Sequence, residues 1–146
     1  MSSTTRDRAA TLAGMTTDNK TIVTQALQQM VATGGTDALE PLLREDFVHH
    51  KPDSTSSTRT EWLADVRAVP IDRLRVEVLH LLADGDLVVL STRRWLDGGG
   101  PGVAAVDIWR LANGLITEAW ELVEPIADVA ANLAWWRPDA ARPGRA

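Results

Sequence analysis

The chain has 146 residues and no cysteine, which allows one domain with a core that needs no covalent staple and excludes disulfides, thiolate metal sites and a cysteine nucleophile. Hydrophobic residues make up 45% and charged residues 24%. No apolar run approaches the ~20 residues that span a bilayer, and no secretion signal opens the chain, so a cytoplasmic protein without a membrane partner is expected. The formal net charge is -5 and the fifteen basic residues form no stripe, so nucleic acid is not an expected partner.

Residues 1–17 are rich in Ser, Thr, Ala and Arg without a sustained apolar period, and read as a flexible leader or a short extra helix. The domain proper is expected over 18–136, with a flexible tail over 137–146. Asp18 is placed to cap a first helix, in which Ile22, Val23, Ala26, Leu27, Met30 and Val31 recur at helical spacing. Gly34 and Gly35 stop it. A short second helix carries Leu39, Leu42 and Leu43 on one face, and "DFVHHKP" leaves it as an extended segment. Glu61 to Val69 reads as a third helix with Trp62, Leu63, Val66 and Val69 inward, ended by Pro70.

After Pro70 the period changes to two. Leu74, Val76, Val78, His80 and Leu82 alternate with charged residues, as in a half-buried strand. Strands follow over Leu87–Leu96, Val103–Leu111 and Leu115–Val123, joined by the turns "ADGD", "DGGGPG" and "ANG". Helices first and antiparallel strands after make an α+β fold, with the helices on one face of a curved meander around a small-molecule cavity.

Asp107 is the outlier in this pattern, because it interrupts "VAAVDIW", which otherwise reads as a buried strand. Burial of an ionised carboxylate is costly, so either a partner satisfies it or its pKa rises. Arg93, Arg94 and Arg110 are available as partners. Alternation puts Ala119 and Glu121 on one face of the last strand and Glu118 on the other. His49 and His50 point to opposite sides, and an inward one is a natural general base. His80 shares a face with Val78 and Leu82 and reads as core or cavity wall. Six Trp residues, one Phe and no Tyr leave no phenol as acid or donor. Trp95, Trp109 and Trp62 are wall candidates, and Trp95 and Trp109 fit the core equally well. Adjacent histidines on an extended chain diverge, so no metal site is expected. Neither a phosphate cradle nor a serine-hydrolase elbow is present.

The stretch "VAAVDIWRLANGLITEAWELVEP" resembles the SnoaL-like branch of the nuclear-transport-factor-like superfamily, and "DFVHHKPD" resembles the segment that closes the second helix in that group. The resemblance covers roughly Asp18 to Trp136. It implies a cone-shaped α+β barrel with N-terminal helices packed on a curved antiparallel sheet, a deep pocket, and commonly a homodimer packed through the sheet. It also implies that Asp107 points into the pocket as an acid, with His50 inward as the base. Lys51 stands where relatives often have Asn, Ala119 where many have His, and the absent Tyr argues against an isomerase.

The expectation is therefore a SnoaL-like, cofactor-free enzyme of a natural-product pathway. It would act on a polyketide-like carbonyl compound by enolate chemistry such as aldol cyclisation. Asp107 and His50 would be catalytic, and Trp95, Trp109, Glu121, His80, Ala119 and Trp62 would line the pocket. The alternatives are a non-catalytic binding module of the same fold with Asp107 tied to an arginine, and a hydrolase or dehydratase using Asp107 and Glu121 as paired carboxylates.

Overall fold

The computed structural model describes residues 2–127 and 129–136. The expected tail over 137–146 lies outside the described residues. Helix α1 (Ser2–Thr33) contains the periodic stretch and continues N-terminally past it, so Asp18 sits within the helix rather than capping it. Val23 and Ala26 are in the core, with Ile22, Leu27 and Met30 packed against it. Gly34, at φ 70°, ends the helix by donating its N–H to the Met30 carbonyl at 3.0 Å, a left-handed position that suits glycine.

The expected second helix is a single 3-10 turn, Glu40–Leu42. Leu39 and Leu43, both buried, anchor its two ends, and the chain is already extended at Leu43. Arg59 donates to the Glu40 carbonyl at 2.7 Å and to the Leu43 carbonyl at 3.2 Å, so one guanidinium ties down both ends of the turn. Strands β1 (Leu43–His50) and β2 (Ser56–Thr58) lead into helix α2 (Arg59–Ala68). Thr58 and Glu61 form a reciprocal capping box that starts α2, and the helix buries Trp62 and Leu63. Val69 is extended, as the residue before Pro70 must be.

Four long strands follow: β3 (Leu74–Asp84), β4 (Leu87–Leu96), β5 (Val103–Ala112) and β6 (Leu115–Pro125). The sheet order is β2-β1-β6-β5-β4-β3. The architecture is the expected α+β cone. The sheet is mixed rather than wholly antiparallel, because β1 runs parallel to β6. Asn113 and Gly114, at φ 51° and 79°, make the tight turn between β5 and β6.

Two bulges decide which residues face inward. In β3 the register with β4 shifts between Val78 and His80, leaving Leu79 as an extra residue. The inward set thus passes from Leu74 and Val76 to Leu81 and Ala83. In β6 the register with β5 shifts at Thr117, which lets both Ile116 and Ala119 be buried.

Candidate active site

A cavity of about 910 Å³ lies between α1, α2 and the inner face of the sheet, within the roughly 300–1,000 Å³ usual for small-molecule sites. Its walls are mainly apolar, drawn from Leu27 and Met30 of α1, Trp62 and Val66 of α2, and Leu81, Leu90 and Trp109 of the sheet. Its ionisable groups gather where β1, β4, β5 and β6 meet, His49, Arg94, Asp107 and Glu121, with Lys51 and Asp65 at 3.1 Å from one another, and Thr24 and Gln28 add polar groups from α1.

Asp107 faces inward because β5 buries every second residue, Ala105, Asp107, Trp109 and Leu111. It pairs in register with Glu121 of β6 on one side and Leu90 of β4 on the other. Arg94 lies further along β4, in register with Val103, and its side chain reaches back to both carboxylates. Its Nη1 donates to Glu121 Oε2 at 3.0 Å, its Nη2 donates to Asp107 Oδ2, and its Nε donates to Thr92 Oγ1 at 3.0 Å. Asp107 is only 7% exposed. Burial pushes its carboxyl up to about 7, against the pull of Arg94 and with the Glu121 charge adding to the rise. One guanidinium is thus shared between two carboxyl groups in a largely apolar setting. Of the three arginines available from sequence, Arg94 is the partner. The two outcomes posed as alternatives, an arginine partner and a raised pKa, occur together.

His49, not His50, faces the cavity. Phe47 is buried in the core, and alternation along β1 places His49 on the same side and His50 on the other. The His49 ring packs on Trp62 at 5.2 Å, and burial holds its pKa below the ordinary histidine value. Its Nδ1 is enclosed and has no hydrogen-bond partner among the described residues, which leaves Nε2 as the nitrogen open to the cavity. His50 lies on the outer face, 2.7 Å from Glu118 Oε2 and stacked on Trp120 at 5.1 Å. The expectation of an inward His50 is therefore corrected, and the burial of the chain's one Phe, two residues before His49, was the signal that pointed the other way.

Three expected wall residues are also displaced. His80 is exposed, because the bulge at Leu79 turns it outward. Trp95 is on the outer face, since its neighbour Arg94 takes the inward position. Ala119 is buried in the core between His49 of β1 and Trp109 of β5, and its methyl does not reach the cavity. Trp62, Trp109 and Glu121 do line it, and Trp62 meets Trp109 edge-on at 5.9 Å. Among the described residues, no three His, Asp or Glu side chains are grouped to hold a metal ion, and no helix is long and apolar enough to cross a membrane.

The model of the SnoaL-like domain family matches residues 23–119. No curated protein matches the chain. Among solved structures, a candidate ketosteroid isomerase from Kribbella flavida superposes with a TM-score of 0.65 at 20% identity, over 75% of this chain and 80% of that one. IdmH, a candidate polyketide cyclase from Streptomyces antibioticus, gives 0.61 at 19% identity over 76% and 96%. A steroid delta-isomerase from Pseudomonas aeruginosa gives 0.62 at 18% identity over 85% and 93%. Identities this low establish a shared fold and nothing finer. With two thirds of the chain inside the family match and the cone fold in place, this protein belongs to the SnoaL-like domain family.

Proposed function

We propose that this protein is a cofactor-free acid–base enzyme acting on a small, largely apolar carbonyl compound of the polyketide type. The observation that carries this reading is the burial of Asp107 against a cavity while it shares one guanidinium with Glu121. A carboxyl kept protonated near neutrality can donate a hydrogen bond, or its proton, to a carbonyl oxygen that gains charge. His49, held neutral by burial, takes a proton from the carbon next to that carbonyl through Nε2. The electron pair of the broken C–H bond moves onto the carbonyl oxygen, where Asp107 receives it as a hydrogen-bonded or protonated enolate. The nearby Glu121 charge favours the imidazolium so formed. The enolate carbon then attacks a second carbonyl, closing a ring, and the alkoxide so formed takes the proton held by the His49 imidazolium, or the enolate carbon takes that proton back. With no Tyr in the chain, Asp107 serves the oxyanion without a phenol beside it.

The pairing of the two carboxylates favours a second reading. Asp107 and Glu121, bridged by Arg94, are two carboxyl groups that could act as acid and base in adding or removing water. The same fold would also support a homodimer packed through the outer sheet face, where Leu82, Leu122 and Trp95 are exposed. Light scattering on the eluted protein tests that state.

The deciding experiment is solvent exchange. Flat polycyclic ketones and 1,3-diketones are incubated with the protein in D2O, and loss of the C–H signal next to the carbonyl is followed by NMR. Exchange above buffer, lost in Asp107→Asn and His49→Gln, supports enolate chemistry. Incorporation of labelled oxygen from water without C–H exchange supports the second reading. Saturable binding with neither reaction leaves the non-catalytic binding module and sinks both.

A further inference from the structure

His49 and Ser57 are register partners in the pairing of β1 with β2. Side chains directly opposite on an antiparallel pair stand on one face, with Cβ atoms roughly 4.5–5.5 Å apart. Both residues are closed off from water, at 5% and 2% exposure. His49 Nδ1 and Ser57 Oγ each lack a hydrogen-bond partner among the described residues. Buried polar groups are seldom left unpaired, because each then bears its full desolvation cost. Two unpaired atoms at paired positions can be satisfied by one small movement, a turn of the His49 ring about its soft Cβ–Cγ torsion. Two further neighbours offer the ring no acceptor: Trp62 packs against it, and Ala119, opposite on β6, presents a methyl.

We propose that Ser57 is a positioning residue for His49, its hydroxyl oxygen accepting the Nδ1 hydrogen and so holding the imidazole in the tautomer whose Nε2 lone pair faces the cavity. This rests on His49 being the base. An oxygen acceptor serves both states that a base passes through, since Nδ1 carries hydrogen in this neutral tautomer and in the imidazolium. Which ring nitrogen is free to act is set by the bond the other makes. Without the hydroxyl, nothing at Nδ1 holds the hydrogen there, and the ring is free to carry it on Nε2 instead, where it cannot act as a base.

The test reads the tautomer directly, by long-range 15N–1H NMR of the ring-labelled protein. His50 and His80 on the outer face serve as controls that stay unchanged. The expected result is His49 mainly as the Nδ1–H form in the wild type, a shift toward the Nε2–H form in Ser57→Ala, and recovery in Ser57→Thr. Deuterium exchange of the carbonyl substrate should fall about tenfold in Ser57→Ala, the worth of one neutral hydrogen bond, and recover in Ser57→Thr. A wild-type ring in the Nε2–H form, or a tautomer indifferent to Ser57→Ala, overturns the inference. The wild-type spectrum alone decides the first point, even if a variant folds poorly. A tautomer that responds as expected, in a protein that exchanges no substrate, supports the role of Ser57 and removes the catalytic one of His49.

Discussion

Asp107 and Glu121 stand opposite each other on adjacent strands, and the guanidinium of Arg94 binds both. That relationship makes the site neither a simple ion pair nor an isolated buried acid. Desolvation raises the Asp107 pKa to about 7 although the arginine in contact lowers it, and the Glu121 charge adds to the rise. The site is thus poised to hold or release one proton near neutral pH.

The pH dependence of stability should show this. Asp107 binds its proton more tightly in the folded than in the unfolded chain, so its contribution favours folding below about pH 4 and is lost as pH rises toward 7. His49 acts in the opposite sense, because its depressed pKa favours folding above about 6.5 and is lost as pH falls through the folded value. Urea unfolding of the wild type and Asp107→Asn between pH 4 and 8 isolates the first effect. The wild type should lose stability relative to the variant across that range, by up to a few kcal/mol. Parallel curves would mean an Asp107 with an ordinary pKa.

The rate on any substrate found should be bell-shaped in pH. Its alkaline limb should lie near 7, where Asp107 gives up its proton, and its acid limb below the usual histidine value, where His49 gains one. Rate measurements at constant ionic strength would reveal this, and a flat profile from pH 5 to 9 would exclude the pair as acid and base.

Removing the shared cation should be costly. Arg94→Met leaves two carboxylates facing each other in a largely apolar site, and a loss of about 3 kcal/mol is expected. Combining it with Glu121→Gln should recover part of that loss, because the like-charge repulsion is gone. Chemical denaturation of the single and double variants measures the recovery, and its absence would show that Arg94 acts through packing alone.

The two adjacent histidines should behave differently. His49→Gln is expected to lower the exchange rate by about 10²–10⁴-fold. His50→Gln breaks a partly exposed contact with Glu118 and should change stability by about 1 kcal/mol or less, with the rate unchanged. Paired kinetic and thermal measurements separate them, and a catalytic loss confined to His50→Gln would restore the base to the other face.

Helix α2 carries Trp62 to the cavity wall, and its start depends on the Thr58–Glu61 capping box. Thr58→Ala should cost about 1 kcal/mol. Thermal unfolding reads that cost, and a neutral result would show that tertiary packing alone fixes the helix start.

Much of this protein was determined by its sequence alone. The change from a helical period before Pro70 to alternation after it set the order of elements, and a carboxylate inside "VAAVDIW" marked Asp107 as the residue needing an explanation. What alternation could not carry was the effect of one extra residue in a strand. A bulge at Leu79 turned His80 outward, and another at Thr117 brought Ile116 inward, because each insertion reverses every side chain beyond it. The inward histidine was nonetheless legible from Phe47, two residues before His49. Only the tertiary structure chose Arg94 among three arginines, because that choice depends on which strands neighbour each other and in what register. The main cause of the raised Asp107 pKa, its enclosure by α1, α2 and the sheet, likewise belongs to the tertiary structure, since desolvation is a property of the surroundings and not of the residue.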